Sequence, residues 1–281
     1  MSAADCLGLN LAWTSLRGLT AVMKTVFEMS GTSVSIYLRF GRRLLISILK
    51  SHPDAALGIP SAEKIKEYQA VIEERHPKLK GVWCSMDGLK LYLEQASDNI
   101  IQNMFYNGWT HHHYSSAVLV FCPDGSIPIA SYNVPGSFHD SMIAEFGGIY
   151  KKLNHVYDKY GGMCVVDAAF SRKKYPYLIK SSQRDPESVF IEDFIVNDQA
   201  TSMRQTAEWG MRALKASFPR LKDTIRYEVR GERKLIWRFI LLLYNLRVKH
   251  VGINQIKNTY MPFLERNANQ HFVTPLLNDD E

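Results

Sequence analysis

Apolar and polar positions follow two different patterns along this chain. The first 80 residues favour helices separated by short polar turns, with serine or threonine placed as caps. The predicted helices are Leu7–Trp13, Leu19–Met29, Val34–Lys50 and Ala62–Arg75. Ser61 is the predicted N-cap of the last helix, and Pro77 marks its end.

From residue 81 the pattern changes to short apolar runs bounded by glycine, proline and polar residues, which predicts β-strands. The predicted strands are 81–94 (one bent strand or a strand pair), 115–122, 127–134, 163–166 and 177–180. Pro123-Asp124-Gly125 is a hairpin turn between the second and third of these segments. A helix over 139–160 follows, with an interruption at Gly147-Gly148.

The remaining pattern predicts two long helices. The first, Met203–Phe218, lies between a capping pair at Ser202 and Gln205 and a terminating Pro219, and the second is Glu232–His250. Loops are predicted over 95–114, 181–200 and 220–231. This element order predicts an α/β fold, in which helices flank a mixed five-stranded sheet. The predicted regions are a helical segment 1–51, a linker and helix 52–80, a sheet domain 81–250 and a C-terminal extension 251–281.

The positive charge of the chain is concentrated in one region. The 281 residues carry a formal charge of +6, and 46% of them are hydrophobic, which is typical of a globular protein. Residues 201–250 contain twelve Lys and Arg against four Asp and Glu. A localised basic region is what binding to a polyanion such as DNA requires.

The cysteines and the apolar runs exclude several classes of protein. The four cysteines, at positions 6, 84, 122 and 164, form no CxxC pair, so neither a zinc ribbon nor a thioredoxin-like site is indicated. The apolar run Leu235–Leu246 is interrupted by Arg238 and Asn245 and is too short to span a bilayer. No signal peptide is evident. We therefore expect reduced thiols and a nuclear or otherwise intracellular protein.

The N-terminal helices have the outline of a helix-turn-helix. A Ser30-Gly31 turn separates two predicted helices, and Arg39, Arg42 and Arg43 lie on the second. One interpretation is that this helix reads DNA. The other is that the pair is an ordinary packing layer, because helices joined by short turns are common.

Three carboxylates are the main candidates for chemistry. Asp167 directly follows the apolar run Met163–Val166, and Asp87 follows a similar run. An acid at a strand end is often an ordinary turn residue, so its meaning depends on its neighbours. In the ribonuclease-H-like version of the predicted sheet, the first and fourth strands are parallel neighbours, which would bring Asp87 beside Asp167. Cys84 and Cys164 each precede their aspartate by three positions, so an in-register pairing predicts both aspartates on one face and both cysteines on the other.

Glu208, on the predicted helix Met203–Phe218, is the third member of this set. Two aspartates and a glutamate supply hard oxygen ligands, which suit Mg²⁺ or Mn²⁺. Two such ions about 4 Å apart can activate water or a 3′-hydroxyl for attack on a phosphodiester. Without cations, clustered carboxylates repel one another and raise each other's pKa. The sequence therefore predicts a two-ion site at Asp87, Asp167 and Glu208.

Other charged residues accompany this triad, and each has two interpretations. His139 and Asp140 are either helix-capping residues or a pair next to the metal site, with a ligand role possible for them. The basic residues near Asp167 and Glu208 either contact the nucleic-acid backbone or form solvated and salt-bridged surfaces. These basic residues are Arg172, Lys173, Lys174, Arg204, Arg212 and Lys215.

Two further groups of residues attract attention. His111-His112-His113 resembles a metal cluster, but consecutive histidines on a strand cannot all face one ion, and we predict that they are loop residues. Trp83, Trp109 and Trp209 either stack on bases or pack in the core, and core packing is the commoner role.

Taken together, these motifs resemble a PIF/Harbinger-type transposase of the DDE superfamily endonuclease group. The resemblance covers roughly residues 80–250, and more loosely the N-terminal helices. It rests on Met86-Asp87-Gly88, Pro135–Ser141, Val166–Phe170, and Arg204 with Glu208, Gly210, Lys215 and Phe218. The N-terminal helical segment is shorter than in the family, which is expected if further helices precede Met1.

The resemblance implies a ribonuclease-H-like fold, an Mg²⁺- or Mn²⁺-dependent site at Asp87, Asp167 and Glu208, and cleavage and transfer of DNA strands. It implies DNA as the partner and, for some family members, a separate Myb-like DNA-binding protein. We further expect a homo-oligomer, and we expect no membrane association. Two alternatives remain open. One is a domesticated DNA-binding protein that retains the fold without catalysis, and the other is a hydrolase of another phosphodiester, such as RNA.

Overall fold

A mixed β-sheet forms the centre of the molecule. The computed structural model describes residues 2–16, 20–170, 175–181, 191–225, 230–252 and 254–270. The strands are β1 Val82–Tyr92, β2 Tyr106–Asn107, β3 His112–Phe121, β4 Ile129–Pro135, β5 Met163–Val166 and β6 Leu178–Lys180. β1 is one continuous strand, which decides between the two predictions made for 81–94.

The strand pairing follows the predicted topology. β3 pairs antiparallel with β1 and with β4, and β1 pairs parallel with β5, which pairs parallel with β6. This five-stranded mixed sheet is consistent with a ribonuclease-H-like fold. The two-residue strand β2 was not predicted, and it pairs with the first residues of β3.

Helices cover the sheet, and further helices precede and follow its strands along the chain. They are α1 Ala3–Ser15, α2 Thr20–Val26, α3 Gly31–Leu49, α4 Ala62–Arg75, α5 Asn99–Phe105, α6 Asp140–Phe146, α7 Ile149–Tyr160, α8 Ile191–Ser217, α9 Arg230–Val251 and α10 Gln255–Gln270. A short 3₁₀ helix, Pro219–Lys222, follows α8. The bounds of α4 and the break between α6 and α7 were predicted correctly, and the Ser61 hydroxyl accepts the N–H of Lys64 as an N-cap.

Alternation along the strands creates two apolar layers. On one face, Cys84, Met86 and Cys164 pack with α6 and α7. On the other face, Leu89 and Val165 pack with α8 and α9. The helices hold the sheet from both sides, so the ends of β1 and β5 have fixed positions.

The N-terminal helices attach to α9 and have a small core of their own. That core contains Leu9, Met23, Val34 and Leu38. Arg39 and Arg43 both pair with Glu232 on α9, and the Arg42 guanidinium lies 3.8 Å from the centre of the Trp13 ring. The arginines of α3 are thus engaged with the protein itself. The DNA-reading interpretation of this region stays a prediction.

Two of the loop predictions are wrong, and one helix was not predicted. Residues 191–200 belong to α8, because Val196, Ala200 and Met203 recur on its apolar side, and Ser202 and Gln205 lie inside this helix and cap nothing. Polar residues between these positions concealed the period. The predicted loop 95–114 contains α5, and the extension after residue 250 contains α10.

All four cysteines are buried thiols without a disulfide, as the prediction of reduced thiols requires. Among the helices that the structure describes, none is long and apolar enough to cross a membrane.

Candidate functional site

The pairing of β1 with β5 brings two of the predicted acids together. Cys84 lies opposite Cys164, and Met86 lies opposite Val166. One further step along both strands brings Asp87 beside Asp167. The predicted register is therefore confirmed. Because side chains alternate, the cysteines face α6 and α7, and the aspartates point to the side that α8 covers.

Asp87 lies in an environment that disfavours its charge. Its side chain is 15% exposed, and its Oδ1 accepts the N–H of Gly88 at 2.7 Å. Burial, together with the negative charges of Asp167 and Asp140, raises the pKa of Asp87 to about 6. The Gly88 hydrogen bond and the nearby Arg204 act in the opposite direction but do not cancel this effect.

Asp140 is the third acid at this position. It begins α6, and its carboxylate lies against the backbone of Gly88. A β-carbon at position 88 would lie only 2.3 Å from Asp140 Oδ2, so this close approach requires glycine. Burial and the charge of Asp167 raise the pKa of Asp140, whereas Lys90 and His139 oppose the rise. The sequence left a helix-terminus role and a site role open for Asp140, and the structure is compatible with both, because this acid lies in the first turn of α6 and also near Asp87 and Asp167.

His139 occupies the N-cap position of α6 and is exposed to solvent. Its side chain makes no capping hydrogen bond. Its charge acts on Asp140, so it borders the acid cluster.

Glu208 reaches the cluster through an arginine. Arg204 Nη2 lies 2.7 Å from Glu208 Oε1, and Arg204 Nη1 lies 4.0 Å from Asp87 Oδ2. The guanidinium therefore contacts the helix acid and approaches the strand acid. The sequence placed Arg204 among the phosphate-binding residues, but here it faces the carboxylates.

A buried pair of hydroxyls fixes α8 relative to β1. Ser85 Oγ lies 2.5 Å from Thr206 Oγ1, which itself donates to the carbonyl oxygen of Met203. Ser85 precedes Asp87 by two positions, and Thr206 precedes Glu208 by two positions. The hydrogen bond therefore ties the part of α8 that carries Glu208 to the strand that carries Asp87.

Gly210 brings the same helix close to the sheet. A β-carbon at this position would lie 2.3 Å from the ring of Phe121 on β3. Any larger residue would push α8, and Glu208 with it, away from the sheet.

The remaining basic candidates lie along or beyond these elements. Arg212 is exposed on α8, one turn after Glu208. Lys215 is half-buried on the same helix, and burial lowers its pKa. Arg172, Lys173 and Lys174 lie outside the described residues.

The acids supply oxygen ligands that suit a divalent cation, but they do not form a complete coordination site. Within the described part of the chain, no three His, Cys, Asp or Glu side chains are arranged to hold a metal ion. Asp87, Asp140, Asp167 and Glu208 offer oxygen atoms alone, which suits Mg²⁺ or Mn²⁺. The opening at Gly88 brings two of these acids together. Glu208 is paired through Oε1 with Arg204.

The three consecutive histidines are distributed around the start of β3. His111 lies in the preceding turn, as predicted, but His112 and His113 are strand residues, so the loop prediction is wrong for these two. His112 is exposed and His113 is buried, because neighbouring strand residues face opposite sides.

The three tryptophans also have different environments. Trp83 is fully buried, and Trp209 packs against the core. Trp109 is 92% exposed.

Sequence reasoning missed two contributors to the site. Lys90, three residues after Asp87, acts on Asp140, and an alternating strand pattern gives no signal for that contact. The Ser85–Thr206 pair was also missed, although each member lies at the same offset from its acid.

Comparison with known families gives an independent finding about this region. A family model described as "DDE superfamily endonuclease" matches residues 86–245, which is more than half of the chain. The matched segment begins one residue before Asp87 and includes Asp140, Asp167 and Glu208. Neither the curated proteins nor the solved structures include a significant match to the chain.

Proposed function

Because this chain belongs to the DDE superfamily endonuclease family, we propose that it is a divalent-metal-dependent DNA nuclease of the transposase type, similar to PIF/Harbinger transposases. The observation that carries the proposal is the in-register pairing of β1 with β5, which brings Asp87 beside Asp167. Half-buried acids that repel one another are unfavourable for stability alone, and they are typical of sites that bind a cation or do chemistry.

In this proposal Asp87, Asp167 and Glu208 hold Mg²⁺ or Mn²⁺ in a two-ion site. Asp140 is a further ligand or a neighbour of the ions, and His139 borders it. When bound, such ions activate the attacking oxygen and neutralise charge at the phosphodiester. The raised pKa of Asp87 means that its carboxylate gains from a nearby cation, and Arg204 supplies part of that charge in the metal-free protein.

The phosphate backbone of DNA is assigned to the basic residues around the acids. Arg212 and Lys215 extend from Glu208 along α8, and Arg172 and Lys173 follow Asp167 in the sequence. Arg204, which pairs with Glu208 in this structure, would be a further phosphate contact if Glu208 held an ion instead. Such contacts hold the strand in register with the acids and carry no sequence information. Strand transfer, a Myb-like partner, self-association and a nuclear location belong to the same proposal.

A plasmid-nicking assay tests the proposal. We expect nicking of supercoiled DNA with Mn²⁺ or Mg²⁺, and none with EDTA. Asp167→Asn should reduce the rate roughly 1,000-fold, which corresponds to the several kcal/mol that metal ions contribute. Asp158→Asn, a change at an exposed acid of α7, is the matched control and should leave the rate unchanged. Parallel RNA and hybrid substrates identify the preferred phosphodiester.

One observation favours the alternative of a DNA-binding protein without catalysis. Glu208 is engaged with Arg204, and the described residues contain no preformed metal cluster. Under this alternative, calorimetry detects no Mn²⁺ binding, no DNA is nicked, and Asp167→Asn has the DNA affinity of the wild-type chain. That set of results would exclude the nuclease.

A further inference from the structure

Trp109 is presented to solvent in an unusual way. Its side chain is 92% exposed, more than any other large hydrophobic side chain in the described part of the chain. Trp83 and Trp237, by contrast, are almost completely buried. At this position the indole contributes almost none of the hydrophobic free energy that a buried tryptophan provides.

The turn that carries Trp109 is well ordered by its own hydrogen bonds. Asn107 Oδ1 accepts the backbone N–H groups of Trp109 and Thr110, each at 3.2 Å. The Tyr106 hydroxyl and His111 Nδ1 lie 3.0 Å apart and close the base of the turn. The backbone of Trp109 is therefore held by the β2–β3 connection in a position that leaves its indole open to solvent.

The same turn is joined to the segment that carries Asp140. Asn107 Nδ2 donates to the carbonyl oxygen of Gly136 at 2.8 Å, and the Ser137 hydroxyl donates to the carbonyl oxygen of Met104 at 2.8 Å. Gly136 and Ser137 lead within four residues to Asp140. The Asn107 bond thus joins the turn, and the Ser137 bond joins the preceding helix α5, to the segment that leads to Asp140.

On the face of β1 that Asp140 approaches, opposite to the side chain of Asp87, cationic and aromatic side chains follow the strand from Gly88 towards Tyr92. Lys90 acts on Asp140, and its Nζ lies 5.7 Å from the centre of the Tyr114 ring. Tyr92 is 45% exposed and contacts His112 edge-on, with ring centres 5.4 Å apart. Between Gly88 and Tyr92, β1 extends over about 13 Å. A single strand of DNA can span this distance.

We propose that Trp109 stacks on an unpaired base of the DNA strand that passes through the acid site, while Lys90 and His112 face its backbone. The inference rests on the proposed function, because it needs DNA at the acids. A solvent-exposed indole on a hydrogen-bonded turn offers a flat surface on which an unpaired base can stack. The residues beside Trp109 in the turn, Asn107, Gly108 and Thr110, are not apolar.

Binding measurements on a cleavage-deficient chain test this proposal. Asp167→Asn protein in EDTA is titrated into two DNA molecules by fluorescence anisotropy: a blunt duplex, and the same duplex with a single-stranded extension. Trp109→Ala should weaken binding of the extended DNA by at least about 5-fold and leave the blunt duplex unchanged. Trp109→Phe should restore most of the lost affinity. Abasic sites in the extension should weaken its binding by the protein that retains Trp109 to the same degree as Trp109→Ala does.

Phe194→Ala is the matched control, because Phe194 is an exposed aromatic near the start of α8, about 21 Å along the helix from Glu208, and its removal should change neither affinity. The proposal is overturned if Trp109→Ala weakens both DNA molecules equally or neither. It is also overturned if sedimentation shows that the variant has instead lost self-association.

The outcomes separate this inference from the nuclease proposal. Selective loss of extended-DNA binding, without metal-dependent nicking by the wild-type chain, supports stacking and overturns the nuclease. If nicking depends on Asp167 and Trp109→Ala binds both DNA molecules as the parent protein does, the nuclease is supported and stacking is overturned. A chain that binds neither DNA overturns both.

Discussion

Two aspartates of the same sheet illustrate opposite uses of a carboxylate. Asp124, in the turn after β3, is buried, and it pairs with Lys249 while its Oδ1 accepts the N–H and the hydroxyl of Ser126. Burial alone raises the pKa of Asp124, but Lys249 and Ser126 outweigh it, so that the pKa lies below its ordinary value. Asp87 is less buried, yet its pKa is raised to about 6.

The difference lies in the neighbours and not in burial. Around Asp124 the fold supplies a cation and two donors, so the ionised acid stabilises the turn. Around Asp87 it supplies two more acids and a distant arginine, so the ionised acid opposes folding. The first arrangement serves stability, and the second is tolerable where an external cation completes the site.

Breaking the Asp124 pair should have the largest effect on stability. Lys249→Met leaves a buried carboxylate without its cation, and we expect a loss of about 3 kcal/mol in the free energy of unfolding. Urea denaturation at pH 7 measures it. Lys159→Met, at an exposed position on α7, is the control and should change little. A loss no larger than the control's would show that the pair does not stabilise the turn.

Removing the charge of Asp87 should have the opposite sign. Its folded pKa of about 6 exceeds the ordinary 3.8, so the folded chain binds more protons between these values and wild-type stability falls as the pH rises through that window. Asp87→Asn should therefore stabilise the metal-free protein by about 2 kcal/mol at pH 7. At pH 4, where most of the wild-type carboxyl is protonated, the two proteins should unfold at similar urea concentrations. A variant that is less stable than wild type at pH 7 would contradict this account.

The smallest effect should come from the arginine between the acids. Arg204→Gln removes the cation that lies 4.0 Å from Asp87, so the pKa of Asp87 should rise further above 6, by an amount equivalent to roughly 1 kcal/mol. A carbon-13 NMR titration of the carboxyl groups, assigned with Asp87→Asn, measures the shift. Arg212→Gln on the same helix is the matched control. An equal response in both variants would mean that Arg204 acts only through general charge.

The main features of the sheet could be predicted because they depend on local pattern. An apolar run that ends in an acid predicted both β1 and β5, and the equal spacing of Cys84 and Cys164 predicted their register. The start of α8 could not be found this way, because its helical period appears only once the buried side has been identified. β2 has only two residues and owes its existence to β3, so its own sequence carries no strand signal.

The candidate site could be predicted only in part, because local sequence pattern does not encode how separate elements contact one another. Asp87, Asp167 and Glu208 follow from element type and position. The contact between Asp140 and Gly88 depends on how α6 meets β1, which no local pattern encodes. The exposure of Trp109 likewise comes from a turn closed by Asn107, and its residue type alone gives the same signal as the buried Trp83.

The buried hydroxyl bond between Ser85 and Thr206 has a consequence for timing. It joins β1 and α8 into one body, so Glu208 can change its partner only by rotating about its own side-chain bonds. Such rotation at an exposed position takes picoseconds to nanoseconds, whereas sliding a helix takes microseconds to milliseconds. In the proposed enzyme, the backbone segments that carry Asp87 and Glu208 would therefore already be in place before any ion binds.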